Sequence, residues 1–358
     1  MSSKMYYRPS VTEFEITSRC PLDCVHCVQH SPNDENSLST ADVKGVLDDL
    51  VDAGCHDICI TGGEPLLHKD FWSIIDHSVS IGLNTAIYTS GVTVSPKVAA
   101  ELQNAGVSNV FVTLFGSYSN LHDSLTGRSG SYEKTCSAVR NLVSLGIRVT
   151  VHVPIVKRNL TDITAIVELS ETLGAQAFHL IRYFPHNLEC NASADVLLTT
   201  AKELSEAVRS VKEKVGEAGS QIEFIPGNTL PFALLDQPDT SMERCSAGKE
   251  RCFITASGHV IPCPGFREAE LLTKENNLHF RSFKAIWENS KPMLLMRERR
   301  IDNLNDPCQS CSDRDECKGG CPAQSYIFFK DVLKADPLCI NNSLKNANML
   351  QKEMAKAI

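Results

Sequence analysis

Short apolar runs rich in β-branched residues alternate with amphipathic stretches along the first two-thirds of the chain. Glycine-containing turns follow the amphipathic stretches, and this order predicts a βα repeat with parallel strands. The loops after parallel strands gather at one rim, where we expect the chemistry. Six strands are predicted, at VTEFEIT, HDICIT, NTAIYTS, NVFVTLF, RVTVHVPI and AFHLIRY, with helices that include Thr40–Ala53, Pro96–Ala105, Tyr132–Leu145 and Thr200–Ala218.

The composition changes after the last of these helices. The segments QIEFIPGNTLPF and LLDQPDTSMERC combine Pro, Gly and Asp and predict a connection between domains. We therefore expect an α/β partial (β/α)6 TIM-like barrel over residues 1–235, a small cysteine-rich domain over 236–343 and a helix over 344–358. The cysteine-rich region has few long apolar segments, so its fold is expected to depend on metal.

Charge and cysteine content limit the class of function. The 358 residues include 43 acidic and 35 basic ones, a net charge of -8, which argues against a nucleic-acid partner. Neither a signal-peptide core nor a membrane-length apolar run is found in the sequence. We therefore expect a cytoplasmic protein without a membrane partner, whose 15 cysteines serve mainly as metal ligands in place of disulfides.

The first candidate site is the sequence CPLDCVHC, directly after the first strand. Its spacing allows Cys20, Cys24 and Cys27 to converge on one centre. Iron–sulfur cubanes are normally held by four cysteines, so three ligands leave one iron open to a small molecule. The alternative is a zinc knuckle whose fourth ligand is His26 or His30.

The second strand leads into Gly62, Gly63, Glu64 and Pro65, a GGEP loop. Together with CxxxCxxC, this loop resembles the radical S-adenosylmethionine (radical SAM) superfamily over about Val11–Phe232. The resemblance implies a partial (β/α)6 barrel in which the open iron chelates S-adenosylmethionine (SAM). It also implies that Gly62, Gly63 and Glu64 lie at the SAM amino group and that His26 lies against the adenine.

Further cofactor contacts are expected at the ends of later strands. Ser90 lies where relatives have a T-N-G sequence, while Phe115 replaces the usual acidic residue of an S-L-D-G sequence. The ribose contact is therefore expected at Thr113, at Ser117 or on the fifth strand. Arg182, near the end of the sixth strand, is predicted either to meet a carboxylate or to form a surface pair.

A second cysteine series occupies the C-terminal region, ordered C, G-x4-C, CxxC-x5-C-x3-C, C. Zinc ribbons are the competing explanation, but the order resembles the SPASM extension of radical SAM enzymes, which carries two auxiliary [4Fe–4S] clusters. Cys252 is a variable position in that series, and its loss would leave an open iron. The implied ligand sets are Cys245, Cys252, Cys263 and Cys321 for the first cluster, and Cys308, Cys311, Cys317 and Cys339 for the second.

The other four cysteines receive different predictions. Cys55, Cys59 and Cys136 lie in predicted helices or strands and are expected to fill the apolar core. Cys190 follows the sixth strand and could reach the rim of the barrel as a reactive thiol.

The resemblance implies that a 5′-deoxyadenosyl radical removes hydrogen from a C–H bond of the substrate. Many SPASM enzymes modify ribosomally made peptides, and this is the favoured function. Only about ten residues precede the first strand, so a separate leader-recognition protein is expected, together with a flavodoxin- or ferredoxin-type electron donor. The alternative is a dehydrogenase, epimerase or tailoring enzyme for a small metabolite such as an aminosugar or a tetrapyrrole.

Overall fold

The fold is given by a computed structural model that describes residues 7–27, 37–185, 197–217, 219–227 and 245–339. Cys190, the expected domain boundary near residue 235 and the predicted terminal helix lie outside these ranges. All six strands predicted from the alternating pattern are present, and the barrel class is confirmed.

One sheet of nine strands organises the molecule, in the order β7-β6-β5-β4-β3-β2-β1-β8-β9. The first eight strands are all parallel to their neighbours, and only β9 runs antiparallel to β8. The strands are β1 Val11–Glu15, β2 Asp57–Thr61, β3 Asn84–Thr89, β4 Asn109–Thr113, β5 Val149–Ile155, β6 Ala177–Arg182, β7 Glu223–Pro226, β8 Arg251–Ile254 and β9 Val260–Ile261.

Helices cross from one parallel strand to the next, and several begin at side chains suited to cap them. Ser39 and Asp42 form a capping box at the first helix, and Thr200 and Glu203 form one at the seventh. No helix within the described ranges is both long and apolar enough to span a membrane. The helices are α1 Thr40–Asp52, α2 Phe71–Ser80, α3 Pro96–Asn104, α4 Ser119–Thr126, α5 Ser131–Ser144, α6 Ile163–Thr172, α7 Ala201–Val215, α8 Phe283–Asn289, α9 Lys291–Glu298, α10 Arg314–Cys317 and α11 Pro322–Phe329.

Two strands correct the predicted domain connection. The segment QIEFIP contains β7, which pairs with β6 and extends the barrel wall. The cysteine-rich region supplies β8, which pairs with β1 along Val11–Phe14. The cysteine-rich region is therefore joined to the barrel through its sheet.

The core also differs from the expectation for the C-terminal region. A large apolar cluster fills the space between the sheet and its helices and includes Ile254 and Trp287 from that region. A second cluster forms around Phe253, Phe266 and Tyr326. The cysteine-rich region thus has an apolar cluster of its own. Its short strands and helices bury more apolar side chains than the sequence of this region predicted.

Candidate active site

Three thiols line one cavity inside the barrel, on the loop after β1. The cavity measures about 820 Å³, and Cys20, Cys24 and Cys27 border it. Burial and the charge of neighbouring thiols raise the pKa of Cys24, and burial raises the pKa of Cys20 to about 11. In the part of the chain that the structure describes, no three His, Cys, Asp or Glu side chains are grouped to hold a single metal ion. Thiols with raised pKa are protonated at neutral pH, so metal binding here releases protons.

The loop carrying these thiols rests on the last turn of α4. The backbone N–H of Asp23 donates to the carbonyl of Thr126, and the N–H of Val25 donates to that of Leu125, both at 3.0 Å. Gly127 ends the helix with φ of 66°, and a Cβ there would lie 2.2 Å from the Asp23 carbonyl oxygen. A glycine is therefore required where α4 meets the cysteine loop.

The GGEP loop is bonded to the backbone that leads into Cys20. The N–H of Gly63 donates to the carbonyl of Thr17 at 2.9 Å, and the N–H of Glu64 donates to that of Arg19 at 2.7 Å. A Cβ on Gly62 would lie 2.4 Å from the Thr17 oxygen, and one on Gly63 would lie 2.4 Å from the Arg19 oxygen. The paired glycines therefore let two loops of the site pack backbone against backbone.

Glu64, expected at the SAM amino group, does not border the cavity. Its side chain is completely buried, and burial raises its pKa. It accepts hydrogen bonds from the Thr89 hydroxyl at 2.8 Å, from the Ser90 N–H at 3.0 Å and from the Ser90 hydroxyl at 2.6 Å. Glu64 thus fixes the end of β3. Ser90 borders the cavity and is hydrogen-bonded to Glu64. Pro65 is buried and begins a short 3₁₀ helix.

One wall of the cavity is aromatic. The ring of His26 lies 4.5 Å from that of Phe115 and 6.4 Å from that of Tyr183, measured between centroids. Burial lowers the pKa of His26 to about 4, so the ring is neutral at pH 7. Its Nδ1 is buried and has no hydrogen-bond partner among the described residues. His26, Phe115 and Thr113 all border the cavity, so this wall combines tilted aromatic rings with the buried Nδ1 of His26.

Below pH 6.5 we expect the fold to lose stability, because the unfolded chain binds a proton at His122 that the folded chain does not. This side chain is 1% exposed, its Nδ1 accepts from the Phe115 N–H at 3.2 Å, and burial lowers its pKa to about 4. The folded-state pKa lies below the unfolded value, so the stabilisation is complete above pH 6.5 and is lost as the pH falls towards 4. His122→Asn should show a flatter dependence of unfolding free energy on pH, by about 3 kcal/mol over this interval. Equal slopes in anaerobic urea titrations of the two proteins would contradict the assignment.

Arg182 has a structural partner instead of the predicted cofactor. Its guanidinium makes a bidentate contact at 3.0 and 3.1 Å with Asp336, and both side chains are buried. Asp336 also accepts from the N–H of Cys321 at 3.0 Å and from that of Leu338 at 2.8 Å. The carboxylate that the sequence anticipated for Arg182 thus lies 154 residues away and connects β6 to the cysteine-rich region.

The C-terminal thiols lie in two groups whose members are interleaved along the chain. Cys245, Cys263 and Cys321 border the same cavity as the first three cysteines. Burial raises the pKa of Cys263, and the nearby Cys245 and Cys321 raise it further. A second group surrounds Cys308, whose pKa is raised to about 11 by burial and by Cys339, Cys317 and Cys311.

Cys252 does not join the first group, contrary to its predicted role as a ligand. It lies on β8, is fully buried and belongs to the apolar core. Its Sγ is 3.4 Å from the Thr12 hydroxyl, which also lies 3.6 Å from the Sγ of Cys55. The physical reason is strand alternation: the neighbours Arg251 and Phe253 face the cavity, so Cys252 faces away from it.

Several polar residues inside the barrel belong to no sequence motif. Glu13 is paired with Arg251 at 3.2 Å, and His152 Nδ1 lies 3.1 Å from His179 Nδ1. Burial lowers the pKa of both histidines, that of His179 to about 4. The sequence does indicate them, because polar residues occupy alternate positions of the predicted strands and alternate side chains face the barrel interior. Cys59, expected as a core residue, is buried but borders this cavity, whereas Cys55 and Cys136 lie in the core.

Comparison with known families agrees with this arrangement of loops and thiols. Residues 14–169 match the radical SAM superfamily, and residues 245–312 match the SPASM iron–sulfur cluster-binding domain. The protein is a radical SAM enzyme with a SPASM domain. Its cofactors are SAM and [4Fe–4S] clusters, in agreement with the motifs.

Relatives of this radical SAM enzyme extend along nearly the whole chain. The mycofactocin maturase MftC of Mycobacterium tuberculosis is 28% identical over 97% of this chain and 87% of its own length. The PqqA peptide cyclase of Bradyrhizobium diazoefficiens is 27% identical, covering 96% and 90%. The AdoMet-dependent heme synthase of Methanosarcina barkeri is 26% identical, covering 93% and 96%. The crystal structure of Streptococcus suis SuiB bound to SAM has the same fold, with a TM-score of 0.77 at 18% identity over 93% of this chain and 78% of SuiB.

The residues of the site fit the cofactor that the family requires. Cys20, Cys24 and Cys27 would hold the cluster, and Gly62 and Gly63 border the same cavity, where SAM would lie beside it. The unpaired Nδ1 of His26 lies on the aromatic wall, where a purine edge can hydrogen-bond to it.

Gly63→Ala in this radical SAM enzyme should impair SAM cleavage by about a hundredfold, because the new Cβ pushes the backbone before Cys20 out of position. The matched control is Gly45→Ala on α1, where a Cβ meets no atom within 4 Å. The control should cleave SAM at the wild-type rate and be more stable by about 1 kcal/mol. Release of 5′-deoxyadenosine under anaerobic reducing conditions measures both variants, and equal rates would refute the packing role of Gly63.

Proposed function

We propose that this enzyme oxidatively modifies or crosslinks a ribosomally synthesised peptide. When bound, SAM and its cluster supply a 5′-deoxyadenosyl radical that removes a hydrogen atom from a C–H bond. The observation that carries the proposal is the shared cavity, which both Cys20–Cys27 and the group of Cys245, Cys263 and Cys321 border. An oxidation that removes two hydrogens must release a hydrogen atom, a proton and an electron. A substrate held between the two thiol groups has an acceptor for the hydrogen atom on one side and for the electron on the other.

The charge of the cavity supports a peptide over a polycarboxylate substrate. Its cations among the described residues are Arg251 and Arg267, and each is paired with a carboxylate, Glu13 for the first and Glu15 for the second. A tetrapyrrole with several carboxylates would require cations that are not already neutralised. An uncharged peptide segment requires hydrogen-bonding groups and apolar surface, which this cavity offers.

The interior residues are suited to orient such a segment. His152 and His179 are both neutral at pH 7, so one ring nitrogen donates and the other accepts between them. Tyr88 stacks on Phe111 with centroids 4.5 Å apart and borders the same cavity. These side chains present donors, acceptors and flat apolar surfaces without net charge. In this proposal they bind the backbone amide groups of the peptide next to the C–H bond that reacts.

Mass spectrometry after anaerobic co-expression tests the proposed function. The enzyme is produced with a short peptide encoded beside its gene, and the control carries alanine at Cys20, Cys24 and Cys27. With the active enzyme, but not with the control, we expect the peptide to lose two hydrogens. The crosslinked segment of the modified peptide should resist fragmentation. An unchanged mass, with no deuterium incorporated from labelled solvent, would overturn the peptide proposal.

A tetrapyrrole substrate is the second candidate, favoured by the 26% identity to the AdoMet-dependent heme synthase. In that case a change in the absorption spectrum of an added polycarboxylate tetrapyrrole, dependent on SAM, should accompany an unchanged peptide. The net charge of the cavity argues against it, as described above.

The proposal includes two protein partners. A separate leader-recognition protein would bring the peptide to the barrel, and a flavodoxin- or ferredoxin-type protein would deliver the electron for SAM cleavage, both in the cytoplasm. Omitting a small neighbouring protein from the co-expression should lower the modified fraction of peptide. A reduced flavodoxin should support SAM cleavage in place of a chemical reductant.

A further inference from the structure

We propose that His152 is the base that takes the proton released by the peptide, and that His179 passes this proton on. The inference rests on the proposed function, because it concerns a peptide that loses two hydrogens. The peptide loses a hydrogen atom from carbon to the 5′-deoxyadenosyl radical and an electron to the SPASM domain. It loses the proton from an N–H or O–H group next to that carbon, and a C=N or C=O bond forms.

The two histidines lie side by side on neighbouring strands and face the cavity. His152 on β5 is in register with His179 on β6, and their Nδ1 atoms are 3.1 Å apart. Both rings border the cavity, whereas the residues before and after each histidine are buried. A neutral imidazole carries one N–H, so one ring donates from Nδ1 and keeps Nε2 as an acceptor, while the other ring carries its proton on Nε2. The pair is therefore built to take up a proton at one end and to release one at the other.

The surroundings of the pair give the transfer a direction. His26, on the aromatic wall where a purine edge is expected, interacts electrostatically with His152. Arg251, which also interacts with thiols of the SPASM domain, interacts with His179. His152 thus lies towards the SAM side of the cavity, and His179 lies towards the thiols on the side that receives the electron. Negative charge gained there attracts a proton in the same direction, so His152 receives the proton and His179 releases it.

The other candidate bases that line the cavity, among the residues the structure describes, are already engaged. Glu13 and Glu15 are each paired with an arginine. Asp57 accepts a hydrogen bond from an asparagine amide at 2.7 Å. The Nδ1 of His122 accepts a backbone N–H, so its other ring nitrogen carries the proton. Burial raises the pKa of the Tyr88 hydroxyl, which therefore keeps its proton at pH 7.

The cavity also gives the proton a route to solvent. It extends from the loop after β1 to Asp57 and Asn84, the first residues of β2 and β3. Asn84 is exposed and Asp57 is half-buried, so this end of the cavity reaches solvent. A peptide that has lost a hydrogen atom and an electron carries a positive charge, which makes its N–H or O–H group strongly acidic. A weak base such as the buried histidine pair is sufficient to take this proton and releases it readily.

The amount of modified peptide formed per 5′-deoxyadenosine tests the role of His152 in the holoenzyme. His152→Asn keeps a polar atom near the position of Nδ1 for the contact with His179 but has no basic nitrogen. It should still transfer deuterium from a deuterated peptide to 5′-deoxyadenosine, which also shows that the variant folds and binds the peptide. The modified peptide per 5′-deoxyadenosine should fall by about a hundredfold, because the general base is lost. His152→Gln should give the same result if His152→Asn is unstable.

Two further variants complete the test. His179→Asn should lower the same ratio by less, because the base remains and only the acceptor of its proton is lost. His77→Asn is the matched control, because His77 lies on α2 and is bonded to Asp48 at 2.9 Å. It should keep the wild-type ratio.

Two results would overturn the role of His152 alone. The first is a wild-type ratio of modified peptide to 5′-deoxyadenosine in the folded His152 variants. The second is a loss of deuterium transfer together with the modification, which would give His152 a role in binding or folding. A peptide that the wild-type enzyme leaves unmodified would overturn the proposed function as well, so the two failures are distinguishable.

Discussion

Replacing Cys20, Cys24 and Cys27 together by alanine abolishes SAM cleavage and removes about four irons per chain, while the SPASM iron remains. The three thiols border one cavity, and their pKa values respond to one another. Their loop is fixed by α4 and by the GGEP backbone, so the remaining fold should persist without the cluster. We expect the rate of 5′-deoxyadenosine formation to fall by about a thousandfold or more, since no other group supplies this radical chemistry.

Cys136→Ala is the matched control for this experiment. Cys136 is buried in α5 and belongs to the apolar core, away from the cavity. The control should keep all iron and its cleavage rate, with a loss of about 1 kcal/mol in stability from the removed sulfur. Cleavage that survives in the triple variant would refute the assignment of the first cysteine group.

Removing the buried ion pair between Arg182 and Asp336 has the second largest expected effect. Arg182→Leu leaves the Asp336 carboxylate buried with its charge uncompensated, and such losses cost about 3–5 kcal/mol. Because Asp336 also orients the backbone before and after it, at Cys321 and Leu338, the contact between barrel and SPASM domain should weaken. Anaerobic urea unfolding followed by tryptophan fluorescence measures the change.

The exposed pair Lys97–Glu101 provides the comparison for the buried pair. It lies one turn apart on α3 at 3.7 Å, with the lysine side chain 84% exposed. Lys97→Ala should cost less than about 0.5 kcal/mol. Similar unfolding midpoints for Lys97→Ala and Arg182→Leu would contradict the structural role of the Arg182–Asp336 pair.

The barrel was predictable because its six strands bury apolar residues in runs bounded by glycine turns. The short strand β7 was missed because Pro226 and Gly227 make its segment look like a connection. β8 was not predicted, because closely spaced cysteines are typical of the loops that carry metal ligands. Yet the order Arg251, Cys252, Phe253 already alternates polar, small and aromatic residues in the way a strand with two different faces requires.

Motif spacing located the site but not the direction of each side chain. The cysteine spacing identified the three thiols of the first loop, since a short loop forces them together. Glu64 and Arg182 were placed in the right region, but their partners, Ser90 and Asp336, lie 26 and 154 residues away. Such partners depend on the tertiary fold, which a local pattern does not contain.

The most direct test of the central claim, radical hydrogen abstraction from a peptide held in this cavity, is deuterium transfer. The holoenzyme, SAM, a reductant and the fully deuterated neighbouring peptide are combined without oxygen, and 5′-deoxyadenosine is analysed by mass spectrometry. We predict that one deuterium appears in 5′-deoxyadenosine for each peptide modified. Unlabelled 5′-deoxyadenosine alongside a modified peptide, or no 5′-deoxyadenosine at all, would contradict the claim.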